Sequence, residues 1–188
     1  MRIISGKFRG LKLYSPLDSN TRPTSDRLKE SLFSILESHK YNLNLSTSKV
    51  LDICSGTGAL GIEAISRGAE LVYFIEKDPK AIHVIEKNIS KLKINNQNEI
   101  QINLIKDDAV KALKKISTIF DIIFIDPPYK EKKLALLLDK IILSDIMKNE
   151  GIMIIHRHKK EEDKFPEKFK IIEEKIYGLA KIIFGRYV

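Results

Sequence analysis

The sequence predicts an α/β protein built on a mostly parallel sheet, and three observations support this. From Lys49 onward, short apolar runs alternate with segments of helical spacing, which favours parallel strands joined by helices on both faces of a sheet. A glycine turn follows the first run, with Gly56, Gly58 and Gly61 in the spacing G-x-G-x-x-G. Acidic residues follow several of the runs, at the edge where such sheets bind ligands.

The core elements can be placed in order along the chain. We expect strands near 49–53, 71–76, 101–105, 121–125 and 151–155, and helices near 59–67, 79–92, 108–116 and 131–143. Two later apolar stretches, 169–176 and 179–187, predict a hairpin that closes the sheet with an antiparallel edge.

Residues 1–47 form a leader ahead of this pattern. Segments 2–4 and 11–13 predict a small hairpin, and apolar residues at helical spacing predict a helix capped by Thr24 or Ser25. We therefore expect a single domain, 1–188, with an N-terminal extension at 1–47 and a catalytic core at 48–188.

The composition excludes several protein classes. A chain of 188 residues with 43% hydrophobic residues can bury a core and is not disordered. Its apolar runs stay well short of the roughly 20 residues of a membrane span, and its first residues do not resemble a signal peptide. Cys54 is the one cysteine, so an internal disulfide and a cysteine-based zinc site are excluded. We expect a cytoplasmic protein.

The net charge of +8 and the pI near 9.4 favour an acidic partner such as nucleic acid. A lysine-rich genome would produce the same excess, so the total charge does not decide. Residues 1–30, however, carry seven basic and three acidic residues, so their net charge of +4 is half of that of the chain. Arginine matches phosphate oxygens with its planar fork. The candidate contacts to nucleic acid are Arg2, Lys7, Arg9, Lys12, Arg22 and Arg27. Alternatively, some of them, Arg27 especially, pair with helix acids such as Glu30.

The glycine turn predicts a nucleotide-like ligand. A nicotinamide dinucleotide and S-adenosylmethionine both suit this turn when an acid such as Glu76 follows to hold ribose hydroxyls. Asp52 favours the second, because a carboxylate there repels a pyrophosphate and attracts a sulfonium and an ammonium. Asp52 could instead be a loop or capping acid. Asp108 is placed to accept a hydrogen bond from the adenine amino group of the ligand, or to serve as the N-cap of the helix that follows. The predicted ligand residues are Asp52, Ser55, Gly56, Gly58, Glu76 and Asp108.

Asp126-Pro127-Pro128-Tyr129 follows the fourth apolar run. The two prolines leave carbonyl acceptors beside a carboxylate and a ring, which suits a planar base with an exocyclic amino group. The alternative is a tight turn with Tyr129 in the core.

Neither the cysteine nor the histidines predict further chemistry. Cys54 lies in the glycine turn and is not expected to be a nucleophile. His156 and His158 share one face of a strand, and we interpret them as surface residues rather than metal ligands. No metal is expected.

Three segments together resemble the RsmD-type 16S ribosomal RNA guanine-N2 methyltransferases. These are residues 51–69, Asp126–Tyr129, and the leader with its segments 1–6, 9–13 and 21–27. The resemblance implies a class I S-adenosylmethionine-dependent methyltransferase fold. It also implies methylation of one guanine, of the position 966 type, in the small ribosomal subunit or its assembly intermediate, by a monomer. Cys54 departs from this family, which usually has a bulky aromatic there.

The resemblance also implies roles for the predicted residues. The residues of the glycine turn, with Asp52, Glu76 and Asp108, would bind the donor, and Asp126–Tyr129 would hold the base.

Three alternatives remain. A DNA adenine-N6 methyltransferase could use the same Asp-Pro-Pro-Tyr chemistry, but 188 residues leave little room for a target-recognition region. A non-catalytic ribosome-assembly factor could retain the fold, although acids at all the ligand positions argue against it. A nicotinamide oxidoreductase is disfavoured by Asp52.

Overall fold

A seven-stranded sheet forms the centre of the protein. The computed structural model describes residues 1–15, 25–94, 100–127 and 134–188. The strands are β1 (Lys49–Ile53), β2 (Leu71–Glu76), β3 (Gln101–Lys106), β4 (Phe120–Ile125), β5 (Met147–His158), β6 (Phe169–Tyr177) and β7 (Ala180–Tyr187). Each corresponds to a run predicted from the sequence, and β5 begins earlier than expected.

Five α-helices accompany the strands in the described parts of the chain. They are α1 (Asp26–Leu36), α2 (Ala59–Ser66), α3 (Pro79–Lys91), α4 (Ala109–Leu113) and α5 (Leu134–Ser144), and α4 is shorter than predicted. Ser25 caps α1 as expected, because its side chain accepts from the Leu28 amide. Among the described residues, no helix is long and apolar enough to cross a membrane.

The strand order is β3-β2-β1-β4-β5-β7-β6. The strands from β3 to β5 are parallel. The central strands β1, β2 and β4 are mostly buried apolar runs, whereas the edge strand β3 alternates polar and apolar residues and is only partly buried. The predicted antiparallel hairpin is present, but its reversed strand is not at the edge. β7 inserts between β5 and β6 and is antiparallel to both, so the edge strand β6 again runs with the parallel strands.

The predicted N-terminal hairpin is a loop closed by one antiparallel bridge between Arg2 and Lys12. It packs against α2 through backbone hydrogen bonds. The amides of Ile4 and Ser5 donate to the Glu63 carboxylate, at 2.8 and 3.0 Å. Gly6 has a φ of +82°, and a Cβ there would lie 1.8 Å from the Ser66 carbonyl oxygen, so only glycine permits this approach.

The leader also contributes apolar side chains to the core. Ile3 and Leu13 of the hairpin, and Phe33 and Leu36 of α1, are buried in the same cluster as Phe124 of β4. The leader was expected to precede the hydrophobic core. In the structure, its hairpin and α1 both contribute side chains to that core.

A buried charge network joins the N-terminal hairpin to α1 and α2. Lys29, Glu63 and Arg67 lie together, with Lys29 Nζ 3.7 Å and Arg67 Nε 3.0 Å from the Glu63 carboxylate. Lys29 also donates to the Arg2 carbonyl. Burial lowers the pKa of Lys29, and the charge of Glu63 opposes this effect. Each buried group thus depends on the others for its partners.

Replacing Glu63 with alanine should therefore strongly destabilise the protein. The Glu63→Ala variant leaves the buried Lys29 without its opposite charge and two leader amides without their acceptor, which should cost about 3–5 kcal/mol. Chemical denaturation measures this free energy. In the control Glu70→Ala, which breaks the exposed 4.0 Å pair with Lys49, the decrease should be at most about 1 kcal/mol. Equal decreases in both variants would contradict the role assigned to the network.

Candidate active site

The predicted glycine turn connects β1 to α2 at the carboxyl edge of the sheet. Gly56 and Gly58 have φ values of +55° and +75°, which favour glycine, and Gly58 is the N-cap of α2. Ser55 fixes the turn to the two neighbouring strands. Its hydroxyl lies 2.6 Å from the Asp52 carbonyl oxygen and 3.2 Å from that of Ile75. Ser55 was predicted as a ligand residue, and its hydroxyl here binds the backbone of β1 and β2.

Gly61 allows α2 to pack closely on the sheet. A Cβ at this position would lie 2.3 Å from Cε1 of Phe74 and 3.1 Å from Oδ2 of Asp52. The Gly61 amide donates to the same Asp52 oxygen at 2.9 Å. The third glycine of the motif thus brings the start of α2 within hydrogen-bonding distance of the strand.

Asp52 is 1% exposed, so its carboxylate lies beneath the turn. Burial raises the pKa of this carboxyl well above its ordinary 3.8, and the charges of Asp126 and Glu76 raise it further. The Gly61 amide opposes the shift. Asp52 therefore holds the turn directly, and when ionised it places a negative charge beneath the turn.

Glu76 is held in place by backbone amides at the end of β2. Oε2 accepts from Gly56 at 2.9 Å, and Oε1 accepts from Lys77 and Asp78 at 2.8 and 2.9 Å. A carboxylate offers about four lone-pair positions, so these three bonds leave acceptor capacity for hydroxyl groups of a ligand. The carboxylate is thus oriented before any ligand arrives.

Asp108 is the N-cap of α4, as one of its two predicted roles required. Its Oδ1 accepts from the Val110 amide at 3.1 Å, and its Oδ2 lies 3.7 Å from Lys77 Nζ. The side chain is about half exposed at the same edge of the sheet.

Asp126 lies between β1 and β5, where β4 ends. Its amide donates to the Ile53 carbonyl at 3.1 Å, and Oδ1 of its side chain lies 2.9 Å from Nδ1 of His156. Pro127 is buried behind it. Pro128 and Tyr129, predicted to hold the base, lie outside the described residues.

His156 is buried, so its interpretation as a surface residue was wrong. Its strand is flanked by β4 and β7, and its ring packs beside the predicted acid. The signal in the sequence was its place at the end of a buried apolar run. Its place opposite Asp126 follows from the strand register in the structure.

Cys54 has the left-handed φ of +58° at the start of the turn. Burial raises the pKa of its thiol to about 12, and the charges of Glu76 and Asp126 add to this. Since the thiolate is the nucleophile, this environment keeps the sulfur unreactive at neutral pH.

Most of the predicted basic residues of the leader are on the surface. Arg2, Lys7, Arg9, Lys12 and Arg27 are exposed, while Arg22 lies outside the described residues. Arg2 Nε pairs with Asp26 at 3.0 Å. Within the described parts of the chain, the predicted pairing of a leader arginine with α1 is therefore made by Arg2 and Asp26, not by Arg27 and Glu30.

The family model described as Conserved hypothetical protein 95, the RsmD family, matches residues 1–186. The chain belongs to this family. The resemblance stated from the sequence is confirmed, and it extends over the leader as well as the sheet.

Relatives and solved structures agree with this family assignment. The protein YlbH of Bacillus subtilis is 35% identical over 188 residues, which is 97% of this chain and 96% of YlbH. The Haemophilus influenzae protein named ribosomal RNA small subunit methyltransferase D is 31% identical over 180 residues, covering 96% and 90% of the two chains. The structure of yhhF from Escherichia coli is 28% identical, with a TM-score of 0.81 over 100% of this chain and 97% of yhhF. The fold is that of class I methyltransferases.

The buried carboxyl of Asp52 should make the stability of this RsmD-family protein depend on pH. Its pKa is raised on folding, so the folded state binds the proton more tightly than the unfolded state. Wild-type stability therefore falls as pH rises from about 4 through the raised pKa. An asparagine side chain does not titrate, so the free energy of unfolding of Asp52→Asn, relative to wild type, should increase as pH rises from about 4. Denaturation at several pH values measures this, and a constant difference would contradict it.

Proposed function

We propose that this protein transfers a methyl group from S-adenosylmethionine to the exocyclic N2 amino group of a guanine in 16S ribosomal RNA, of the position 966 type. The observation that carries the proposal is the place of Asp126 at the carboxyl edge of the sheet, where its amide bonds the Ile53 carbonyl just before the glycine turn. The name of the Haemophilus relative, a small-subunit ribosomal RNA methyltransferase, supports the substrate class.

The residues at the glycine turn fit S-adenosylmethionine. Gly56 and Gly58 carry no side chains and so allow a ligand to approach the backbone, and Glu76 retains acceptor capacity for ribose hydroxyls. The charges of Asp52, Glu76 and Asp126 favour a cation between them and disfavour a pyrophosphate. When bound, S-adenosylmethionine supplies an electrophilic methyl group on a positively charged sulfur.

Asp126 would act on the base. The guanine amino group is a weak nucleophile, because its lone pair is delocalised into the ring. Asp126 and the Pro127 carbonyl would accept its two hydrogens, favour a more tetrahedral nitrogen and aim the lone pair at the methyl group. The proton becomes acidic as the new bond forms, and Asp126 would then accept it.

Basic residues of the leader would bind RNA phosphates, which positions the substrate without specifying its sequence. Because the hairpin is fixed to α2 by Glu63 and Ser66, those side chains extend from a rigid support. The substrate would be the small subunit or its assembly intermediate, with Tyr129 stacked on the target base.

Nucleoside analysis separates this proposal from its alternatives. The protein is incubated with labelled S-adenosylmethionine and with small subunits, free ribosomal RNA or DNA. Label in N2-methylguanine supports the proposal. Label in N6-methyladenine supports the DNA enzyme, and donor binding without transfer to any substrate supports a non-catalytic assembly factor.

Removing the Glu76 carboxylate should weaken S-adenosylmethionine binding. Glu76→Ala loses hydrogen bonds to a charged group, which should cost about 1.5–3 kcal/mol. Calorimetric titration measures the affinity, and the control Glu86→Ala removes only an exposed carboxylate that pairs with Lys106. Unchanged affinity in Glu76→Ala, or tighter binding of NAD by wild type, would refute the proposed site.

Asp126 should be needed for turnover but not for donor binding. Asp126→Ala should lower kcat by roughly a hundred- to ten-thousand-fold, the contribution of a positioned acid–base group. Calorimetry should give a nearly unchanged Kd for S-adenosylmethionine. The control Asp139→Ala removes an exposed carboxylate of α5. Wild-type turnover of small subunits by Asp126→Ala would exclude a catalytic role.

The leader residues should affect RNA binding alone. Replacing the exposed Arg9 and Lys12 with glutamine should weaken binding to small subunits and leave S-adenosylmethionine binding intact. The log–log slope of affinity against salt should flatten by about 0.7 for each phosphate of single-stranded RNA that is no longer bound. Lys168→Gln with Lys170→Gln, two exposed lysines at the far edge of the sheet, makes the same charge change as a control. An unchanged slope for the leader variant would assign RNA binding to another surface.

A further inference from the structure

We propose that His156 is a positioning residue for the reaction, and that it holds one oxygen of Asp126 so that the other faces the amino group to be methylated. This inference rests on the function proposed above. It assigns a role to a buried side chain that neither the sequence motifs nor the family name identify.

The sheet register places the two side chains together. β4 and β5 are parallel, with Ile125 opposite Ile155, so Asp126 and His156 are the next residues along the two chains. Nδ1 of His156 lies 2.9 Å from Oδ1 of Asp126, which is a hydrogen-bonding distance.

Both residues are held by backbone pairing on the side away from each other. The Asp126 amide bonds the Ile53 carbonyl of β1, and His156 pairs with Ile182 of β7. The His156 side chain is only 9% exposed, whereas that of Asp126 is 28% exposed. The imidazole is therefore confined within the sheet edge, while the carboxylate reaches the cleft.

In the proposed pairing, proton counting sets the direction of the hydrogen bond. An ionised carboxylate only accepts, so the hydrogen between the two groups belongs to Nδ1 of His156. Oδ1 of Asp126 is then engaged, and Oδ2 is the oxygen that can turn to the substrate. In serine hydrolases an aspartate orients a histidine. Here a histidine orients an aspartate.

This arrangement assigns each atom in the transfer. The amino group donates one hydrogen to Oδ2 of Asp126, and its lone pair forms the bond to the methyl carbon. The carbon–sulfur bond breaks with its electron pair returning to sulfur. The amino proton passes to Oδ2, which leaves a neutral secondary amine, and His156 keeps its Nδ1 hydrogen throughout.

Two substitutions separate positioning from structural support. His156→Leu fills a similar volume without a donor, and His156→Asn places an amide nitrogen near the position of Nδ1. We expect His156→Leu to lower kcat about ten- to a hundredfold, with KM and the Kd for S-adenosylmethionine nearly unchanged, because a misplaced catalytic group reduces rate rather than affinity. His156→Asn should recover most of this rate. His158→Leu and His158→Asn, two residues along the same strand, are the matched controls.

A double-mutant comparison tests whether His156 acts through Asp126. If it does, His156→Leu should lower kcat little further in an Asp126→Asn background. Wild-type kcat in His156→Leu, an Asn variant no better than the Leu variant, or a full additional decrease in the double variant would each overturn the proposal.

Nitrogen NMR of the imidazole gives a readout that does not depend on activity. We expect Nδ1 of His156 to be protonated in wild type, and its chemical shift to change in Asp126→Ala. An unprotonated Nδ1, or a shift unaffected by Asp126→Ala, would overturn the pairing even if guanine methylation is established. Conversely, a protein that methylates no RNA refutes the proposed function while the NMR result still decides the pairing.

Discussion

Three of the carboxylates at one edge of the sheet surround the glycine turn, and the structure of the site depends on the nitrogen groups that lie against them. Asp52 receives the Gly61 amide, Glu76 receives three amides, and Asp126 faces the imidazole of His156. Such a cluster is costly because like charges raise one another's pKa and burial adds to the effect, as it does at Asp52. A cation among the three groups would offset this repulsion, which is the electrostatic basis of the proposed preference for a sulfonium over a pyrophosphate.

The leader is part of this architecture rather than an appendage. Glu63 and Ser66 of α2 accept hydrogen bonds from its backbone amides. Lys29 of α1 contacts both the Arg2 carbonyl and Glu63. Ile3 and Leu13 are buried in the core. Its basic side chains therefore keep a fixed relation to the glycine turn at the start of the same helix. A substrate bound to the leader would be positioned relative to the donor by the rigidity of one short helix.

The central parallel strands were predictable because burial on both faces makes them apolar runs. The place of Asp52, Glu76 and Asp126 at one edge of the sheet followed, because each lies at or near the carboxyl end of such a run. Lys29 and Glu63 could not be predicted as buried, since a charged helix residue usually faces water and their partners are distant in sequence. His156 was misinterpreted for the same reason, because its partner belongs to another strand. The position of β7 was also missed, since a hairpin can join a sheet by either of its strands.

The order β5-β7-β6 has a consequence for how the sheet is assembled. β6 is synthesised before β7 but cannot take its final place until β7 has paired with β5. Until then, β5 presents an unpaired apolar edge, the feature by which incomplete sheets associate with other chains. Because β5 carries His156, β7, which leaves the ribosome after β6, also completes the surroundings of the candidate active site. A nascent chain lacking Ala180–Tyr187 would thus have its glycine turn formed and its acid–imidazole pair supported on one side only.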